Sequence, residues 1–321
     1  DLHSFPTRRS SDLHIAPSIS HEGYSAKPMH SYWDDFFALR GFKDAATMGA
    51  ILGHTDESAR IAAMRDEFRR DLVRSLTHTM THFGIDYVPG AADLGDYDPT
   101  STTIAIAPVG ELAALPRTAL DSTFTRYWRN ARARPDSAAW EAYTPYELRA
   151  VGTLLRLGWK DRALELLQLF LKDQEPPAWN QWPEVVFHDR RAPKFIGDSP
   201  HTWVGSDFLR SAADLFAYER EEDSTLMIGA GLDETWLAES GAHVSRLSTW
   251  WGLLSYQASQ EGNIARFRIA AGLQPPPGGI LVRAPRANAP VRVLVDGTSA
   301  DLVDSTTVRV RRVPANIEFH Y

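Results

Sequence analysis

The chain lacks several features that would assign it to a common protein class. None of its 321 residues is cysteine, which excludes a disulfide framework, a thiolate metal site and a thiol nucleophile. No apolar run approaches the ~20 residues of a membrane-spanning helix. Basic blocks are also absent, and 34 basic against 41 acidic residues give a net charge of −7. We therefore expect no binding to nucleic acid or to an anionic membrane through a general positive field.

Several catalytic motifs are missing as well. The sequence has no Gly-x-Ser-x-Gly segment, no phosphate-binding loop and no dinucleotide fingerprint. His78 and His82 are spaced like two zinc ligands on a helix, but residues 79–81 between them contain no glutamate. A zinc hydrolase is therefore not indicated, and the sequence predicts no catalytic metal.

The composition is otherwise that of a folded protein, with 43% hydrophobic and 23% charged residues. Ten tryptophans are many for this length, and they fit either a sugar-binding cleft or a tryptophan-rich core. Residues 1–13 read DLHSFPTRRSSDL, which has an arginine pair but no apolar segment, so it is not a signal peptide. It resembles a translated sequencing adapter. We expect the natural chain to extend further upstream, which leaves the localisation open, with the periplasm and secretion as the two candidates.

The pattern of residues 41–222 predicts about seven helices in antiparallel pairs. The clearest spans residues 56–83. A capping box predicts that another begins at Thr144 and ends at Gly158. Others are expected at 161–171, from Ser199 to about residue 220, and near 42–52, 103–114 and 119–133. Residues 154–170 also look like part of a tetratricopeptide unit, but its period does not recur on either side.

From residue 224 the period changes to the alternation of β-strands. Segments 266–269, 291–295 and 308–311 alternate apolar and polar residues, and Asp296-Gly297 is a hairpin turn signal. We predict roughly eight strands in an antiparallel sandwich. The fold class is therefore α+β, with domains at 14–222 and 223–321.

Three loop regions combine carboxylates with aromatic side chains, as glycoside chemistry requires. A ring face can stack on a sugar, one carboxylic acid can protonate the leaving oxygen, and an opposing carboxylate can activate water. An apolar neighbour would raise the pKa of the acid towards the working pH. The candidate residues in these loops are Trp33, Asp34 and Asp35; Asp96 and Asp98; and Trp182, Glu184, His201 and Trp203.

Simpler roles compete at each position. Asp34 or Asp35 can cap a helix, Asp96 and Asp98 can make turns, and Ser101 can be the cap that follows them. The loop at 93–98 also offers enough oxygens for calcium, without the spacing of an EF-hand. Glu184 can be a surface residue, and His201 is expected at the second position of its helix.

Short segments of the chain resemble the six-hairpin, (α/α)6-barrel glycosidases, which include trehalases, glucoamylases and bacterial α-L-rhamnosidases. Tyr32-Trp33-Asp34 resembles the Trp-Asp segments that line a trehalase-like sugar subsite. Trp182-Pro183-Glu184, followed by PHTWVG at 200–205, resembles the end of a rhamnosidase-type barrel. TWWGLLSY at 249–256 and Pro277-Gly278-Gly279 resemble the small sandwich that closes such enzymes.

The resemblance implies an inverting glycoside hydrolase with part of an (α/α)6 toroid. It implies Asp34 as general acid and Glu184 as general base, with Asp98 as the runner-up acid and Asp35 as an alternative to Asp34. Asp96 would contact substrate, and the sugar platform would be formed by Trp33, Trp182, His201 and Trp203.

Two other hypotheses about the function remain open. A glycoside phosphorylase of the same barrel would need a phosphate site, for which Arg190, Arg191 and Lys194 are candidates. A non-catalytic carbohydrate-binding scaffold would need only the aromatic residues. In each case the expected partner is a carbohydrate and no cofactor is required.

Overall fold

The computed structural model describes residues 15–19, 27–192 and 198–321. The chain divides into two compact units, Asp1–Asp136 and Ser137–Tyr321. Within the described residues, α-helices occupy the first unit, while the second unit contains both helices and sheets.

The first unit is built on a helical hairpin. It contains α1 (Tyr32–Ile51), α2 (Thr55–Phe83), α3 (Pro99–Ile106) and α4 (Arg117–Ala133), followed by a 3₁₀ turn at Arg134–Asp136. The Tyr32 hydroxyl lies 2.9 Å from Ser75 Oγ and 2.8 Å from Thr79 Oγ1, so α1 begins beside the end of α2. The Ser58 hydroxyl donates to the carbonyl of Ala46 at the other end of the pair. The two helices are therefore antiparallel.

The second unit opens with short elements around a second group of helices. It contains β1 (Ala142–Tyr143), a 3₁₀ turn at Pro145–Leu148, α5 (Arg149–Arg156), α6 (Lys160–Leu171), a 3₁₀ turn at Pro177–Trp179, β2 (Val186–Phe187) and α7 (Thr202–Phe216). Strands β1 and β2 pair antiparallel. Helix α5 packs against both α6 and α7, and Gly152 makes room for the carboxylate of Asp214, because a Cβ there would lie 2.7 Å from Oδ2.

A β-sandwich completes this unit. Its elements are β3 (Ala217–Arg220), β4 (Thr225–Ile228), α8 (Glu234–Glu239), β5 (Ala242–Thr249), β6 (Gly252–Glu261), β7 (Ile264–Ile269), β8 (Gly279–Arg283), β9 (Arg292–Val295), β10 (Thr298–Ser299), β11 (Thr307–Val310) and β12 (Ala315–His320). One sheet has the order β10-β9-β12-β7-β6-β5 and the other β11-β8-β4-β3. Side chains from both sheets, among them Ile280, Val308 and Phe267, share one buried core.

The predicted α+β class is confirmed, because helices precede a two-sheet sandwich. The Asp296-Gly297 turn is confirmed too: both residues have positive φ, 50° and 80°, and they join β9 to β10. Two details differ from the prediction. Residues 224–321 contain nine strands, β4 to β12, where roughly eight were predicted, and β3 adds a tenth strand before them. Strands β4 and β8 pair parallel within an otherwise antiparallel sandwich.

Several predicted helix ends were wrong. Helix α1 begins at Tyr32 rather than near residue 42, and α3 spans Pro99–Ile106 rather than 103–114. The capping box at Thr144 does not form: its side chain makes no cap hydrogen bond, and a 3₁₀ turn precedes α5. Helix α7 ends at Phe216 because the next residues pair with β4 as strand β3. Tertiary pairing overrides local helical preference at this point.

The domain boundary predicted at residue 222 falls in the turn of the β3–β4 hairpin, whereas the compact units divide after Asp136. The assignment of 14–222 to a barrel end stays a prediction. Among the described residues, no helix combines the length and apolar character needed to span a bilayer.

Candidate active site

The loops before β2 and before α7 form the candidate site of the second unit. The backbone N–H of Glu184 donates to Asp198 Oδ1 at 3.0 Å, and that of His201 donates to the carbonyl of Trp182 at 3.1 Å. These two hydrogen bonds tie the chain before β2 to the chain that enters α7. The structure therefore brings together Glu184 and His201, which were predicted as site residues, and adds Asp198.

Tyr146 is a site residue that the sequence analysis missed. Its hydroxyl donates to Glu184 Oε1 at 3.1 Å. Its ring, only 2% exposed, lies edge-on to His201 and to Trp203, with centroid distances of 5.7 and 5.3 Å. The available signal was its place in the Thr-Pro-Tyr-Glu segment, which was interpreted only as a helix start. The buried Tyr146 thus fixes one carboxylate oxygen of Glu184 through this hydrogen bond.

A buried ion pair between Arg149 and Asp207 packs against the ring of Tyr146. The guanidinium of Arg149 lies 4.8 Å from the ring centroid of Tyr146 and 5.5 Å from that of Trp203, and its Nε donates to Asp207 Oδ2 at 2.7 Å. Burial raises the pKa of Asp207 above its ordinary value, and the charges of Arg149 and Arg210 oppose this rise. The pair fixes the start of α5 to α7 beneath the aromatic rings.

His201 is the N-cap of α7, not its second residue as predicted, because the helix begins at Thr202. Its Nδ1 accepts the backbone N–H of Val204 at 3.5 Å. A neutral ring that accepts at Nδ1 carries its proton at Nε2 and can donate from that nitrogen. The cap role thus fixes the position of the imidazole beside the carboxylates of Glu184 and Asp198.

The side chains of Glu184, Asp198 and His201 each offer one potential metal-ligand atom within 4.8 Å of the others. Two carboxylates and an imidazole can bind a divalent cation. However, His201 Nδ1 accepts the N–H of Val204 at 3.5 Å, so ligation through Nε2 would require the tautomer with its proton on Nδ1 and the loss of that hydrogen bond. Asp198 Oδ1 and Glu184 Oε1 likewise accept hydrogen bonds, from the N–H of Glu184 and from the hydroxyl of Tyr146.

The two predicted tryptophan platforms of this unit differ in exposure. Trp182 is 1% exposed, its indole N–H donates to the carbonyl of Phe170 at 2.8 Å, and its ring packs on Phe208. Trp203, in contrast, is 45% exposed at the first turn of α7. Only Trp203 presents a ring to solvent, so it is the better candidate for stacking on a sugar.

In the first unit, Asp34 and Asp35 lie in the first turn of α1, whose N-cap is Ser31 rather than either aspartate. Asp34 is half-buried and accepts the hydroxyl of Ser18 at 2.6 Å. Asp35 is 1% exposed and accepts the backbone N–H of Ile15 at 2.9 Å. Trp33 is buried, with its ring 5.1 Å from that of Phe37. Of the two aspartates, Asp34 is the more accessible.

The loop at 93–98 uses its carboxylates for its own structure. Asp98 is the N-cap of α3, accepts the N–H and the hydroxyl of Ser101, and is 6% exposed. The cap is therefore Asp98 and not Ser101. Asp96 accepts the N–H of Ala91 at 2.8 Å, and Asp93 accepts that of His30 at 2.7 Å. The calcium site proposed for this loop stays a prediction.

The cations proposed for a phosphate site are partly engaged elsewhere. Arg190 pairs with Glu175 at 2.9 Å and with Asp173 at 3.2 Å. Arg191 is exposed, and Lys194 lies outside the described residues. The predicted acids Asp34 and Asp98 belong to the first compact unit and Glu184 to the second, and their pairing across a substrate stays a prediction.

Comparison with known proteins gives a fold and no family. No protein-family model and no curated protein matches the chain. Among solved structures, an α-L-rhamnosidase from Dictyoglumus thermophilum matches 89% of this chain and 32% of its own, with 13% identity and a TM-score of 0.55. An α-L-rhamnosidase from Streptomyces avermitilis, solved with L-rhamnose, matches 88% of this chain and 26% of its own, with 12% identity and a TM-score of 0.50. The chain thus has a rhamnosidase-like fold and spans about a third or less of these proteins' length.

Proposed function

We propose that the chain is part of an inverting glycoside hydrolase, with Glu184 as the general base and Asp34 as the general acid. The observation that carries this proposal is the arrangement around Glu184. Its carboxylate is partly exposed, is held at one oxygen by Tyr146, and lies beside the imidazole of His201. A carboxylate fixed in this way with one side open to solvent can accept a proton from an attacking water.

The similarity to two α-L-rhamnosidases supports the same reaction class and supplies the first substrate to test, an aryl α-L-rhamnoside. In an inverting mechanism the acid and base stand ~6.5–9.5 Å apart, so that water fits between base and sugar. We expect the exposed ring of Trp203 to stack on the apolar face of the sugar.

The test compares the complete enzyme that contains this chain with its Glu184→Gln variant. We expect the wild type to release the sugar with inversion at the anomeric carbon, measured by NMR directly after mixing. Glu184→Gln keeps the size and hydrogen-bonding capacity but cannot accept the proton, so turnover should fall about 10²–10⁴-fold. Binding of L-rhamnose, measured by calorimetry, should remain within about twofold.

The same experiment separates the alternatives. Turnover that requires inorganic phosphate and yields a sugar 1-phosphate would identify a phosphorylase. Sugar binding without turnover in the wild type, unchanged in Glu184→Gln and in Asp34→Asn, would identify a carbohydrate-binding scaffold. Full turnover by Glu184→Gln would remove Glu184 from the mechanism.

A further inference from the structure

The edge strand β5 contains a bulge on the sandwich. Val244 pairs with Tyr256 and Leu247 with Leu254, so two residues of β5 stand opposite the single Ser255 of β6. One of the two, Arg246, has φ 56°, and its N–H donates to the hydroxyl of Ser255 at 2.9 Å. A non-glycine residue with this positive φ is conformationally strained. Bulges of this kind redirect side chains at functional sites.

Beside the bulge, a row of polar residues crosses four strands in register. His243 is opposite Gln257, Gln257 is opposite Arg268, and Arg268 is opposite Asn316. Directly paired residues of antiparallel strands lie on the same face of the sheet. Because their neighbour Phe267 is buried in the sandwich core, the row occupies the outer face, where it presents amide, imidazole and guanidinium groups.

Three residues of this row line a hollow of about 460 Å³, whose polar lining side chains are His243, Ser245, Ser255, Gln257 and Arg268. The volume falls within the ≈ 300–1,000 Å³ of small-molecule sites. The hollow lies in the sandwich, and none of the residues proposed for glycoside hydrolysis lines it.

The charges at the hollow are not neutralised within the part of the chain that the structure describes. The side chains of Arg268 and Arg246 take part in no hydrogen bond or ion pair with the described residues. Arg266, two residues before Arg268 on the same face of β7, pairs instead with Glu261 at 2.9 Å and with Glu318 at 3.3 Å. In a protein of net charge −7, an unneutralised guanidinium beside hydroxyl, amide and imidazole groups favours an anionic, hydroxyl-rich ligand.

We propose that this hollow binds a uronate unit of an acidic carbohydrate, separately from the candidate active site. Arg268 would bind the carboxylate through two parallel hydrogen bonds, and Gln257 and His243 would bind the sugar hydroxyls. The proposal does not depend on the proposed hydrolysis.

The test is calorimetric titration of the full chain with tri-galacturonate at about 0.15 M salt, where diffuse charge effects are screened. We expect Arg268→Ala to weaken binding at least tenfold, and Arg268→Lys to recover only part of it because the paired geometry is lost. Arg266→Ala is the matched control, since it removes the same charge from the same strand. It should leave binding within about twofold. Melting curves of both variants verify that each is folded.

Two further titrations test the ligand class. The neutral maltotriose should bind at least tenfold more weakly than tri-galacturonate, and sodium sulfate should not displace the trisaccharide at equal concentration. Absence of tri-galacturonate binding to the wild type, or equal losses in Arg266→Ala and Arg268→Ala, would overturn the proposal. Equal affinity for sulfate would reduce the hollow to a simple anion site and would overturn the carbohydrate assignment.

Discussion

The hydroxyl of Tyr146 donates a hydrogen bond to Oε1 of Glu184 over 3.1 Å. The tyrosine comes from the 3₁₀ turn before α5 and the glutamate from the loop before β2, so their contact joins segments that are 38 residues apart. The ring of Tyr146 is held below by the guanidinium of Arg149 and beside by Trp203. One oxygen of the Glu184 carboxylate is therefore held by the 3₁₀ turn before α5, which itself packs on α7.

The first prediction concerns Tyr146→Phe, which removes this hydroxyl and keeps the ring. Hydrogen bonds to charged groups contribute about 1.5–3 kcal/mol, so we expect turnover of an aryl α-L-rhamnoside to fall about 10- to 100-fold. The melting temperature should change little, because the packing of the ring is retained. Tyr143→Phe is the matched control, since the Tyr143 hydroxyl donates to the carboxylate of Asp173 at 2.7 Å, away from Glu184. Equal turnover in Tyr143→Phe and Tyr146→Phe would contradict the role of Tyr146.

The second prediction concerns the buried pair of Arg149 and Asp207, whose side chains are 0% and 7% exposed. Arg149→Met leaves the Asp207 carboxylate buried without its main counter-charge. Removing one partner of a buried pair costs about 3–5 kcal/mol, which urea unfolding at pH 7 should show. Replacing both residues by apolar ones, as in Arg149→Met with Asp207→Leu, should recover most of the loss. If the single and double variants were equally unstable, the cost would come from packing rather than from charge.

The pH dependence of Arg149→Met follows from the same pair. Burial raises the pKa of Asp207, and Arg149 opposes that rise. Without Arg149 the pKa rises further, so the folded state binds more protons than the unfolded state over a wider range above the ordinary value. Stability then falls as pH increases through that range. We expect the deficit of Arg149→Met relative to wild type to be smaller at pH 5 than at pH 7, and a constant deficit would argue against this account.

The sequence predicted the parts of the fold that depend on local pattern. The apolar spacing of 56–83 matches α2, and Asp296-Gly297 makes the turn that its residue types favour. The sequence-based prediction was wrong where long-range contacts determine the secondary structure. Residues 217–220 carry a helical pattern but pair with β4 as a strand. In the candidate site, the resemblance predicted roles for Glu184 and His201, which the structure brings together. Tyr146 was not predicted, because its contact with Glu184 joins segments that are 38 residues apart.

The third prediction compares two glycines. A Cβ at Gly152 in α5 would lie 2.7 Å from Asp214 Oδ2, and Asp214 is itself held by Arg156 at 2.9 Å. A Cβ at Gly41 in α1 would meet nothing within 4 Å. Gly41→Ala should therefore stabilise its unit by about 0.5–1 kcal/mol through helix propensity. Gly152→Ala should destabilise by about 1–3 kcal/mol through overpacking. Thermal unfolding of the two variants measures whether each substitution raises or lowers the stability. Stabilisation by Gly152→Ala would show that α5 and α7 can move apart to accept the added methyl group.

The fourth prediction separates a structural from a catalytic role for Asp98. Its side chain caps α3 and accepts from Ser101, which explains its burial without any chemistry. Asparagine caps a helix about as well as aspartate, while alanine costs ~1 kcal/mol. We therefore expect Asp98→Asn to keep both stability and turnover, and Asp98→Ala to lose stability only.

Asp34→Asn is the matching variant at the proposed acid. An amide cannot protonate the leaving oxygen, so turnover of a substrate with a poor leaving group should fall about 10²–10⁴-fold. A nitrophenyl glycoside, whose leaving group needs little protonation, should be affected much less. Rates of Asp34→Asn and Asp98→Asn on both substrates distinguish the two aspartates. In the reverse pattern, Asp98→Asn would be inactive on the substrate with the poor leaving group and Asp34→Asn would be unaffected. That result would assign the general acid to Asp98, and the N-cap residue of α3 would then also be catalytic.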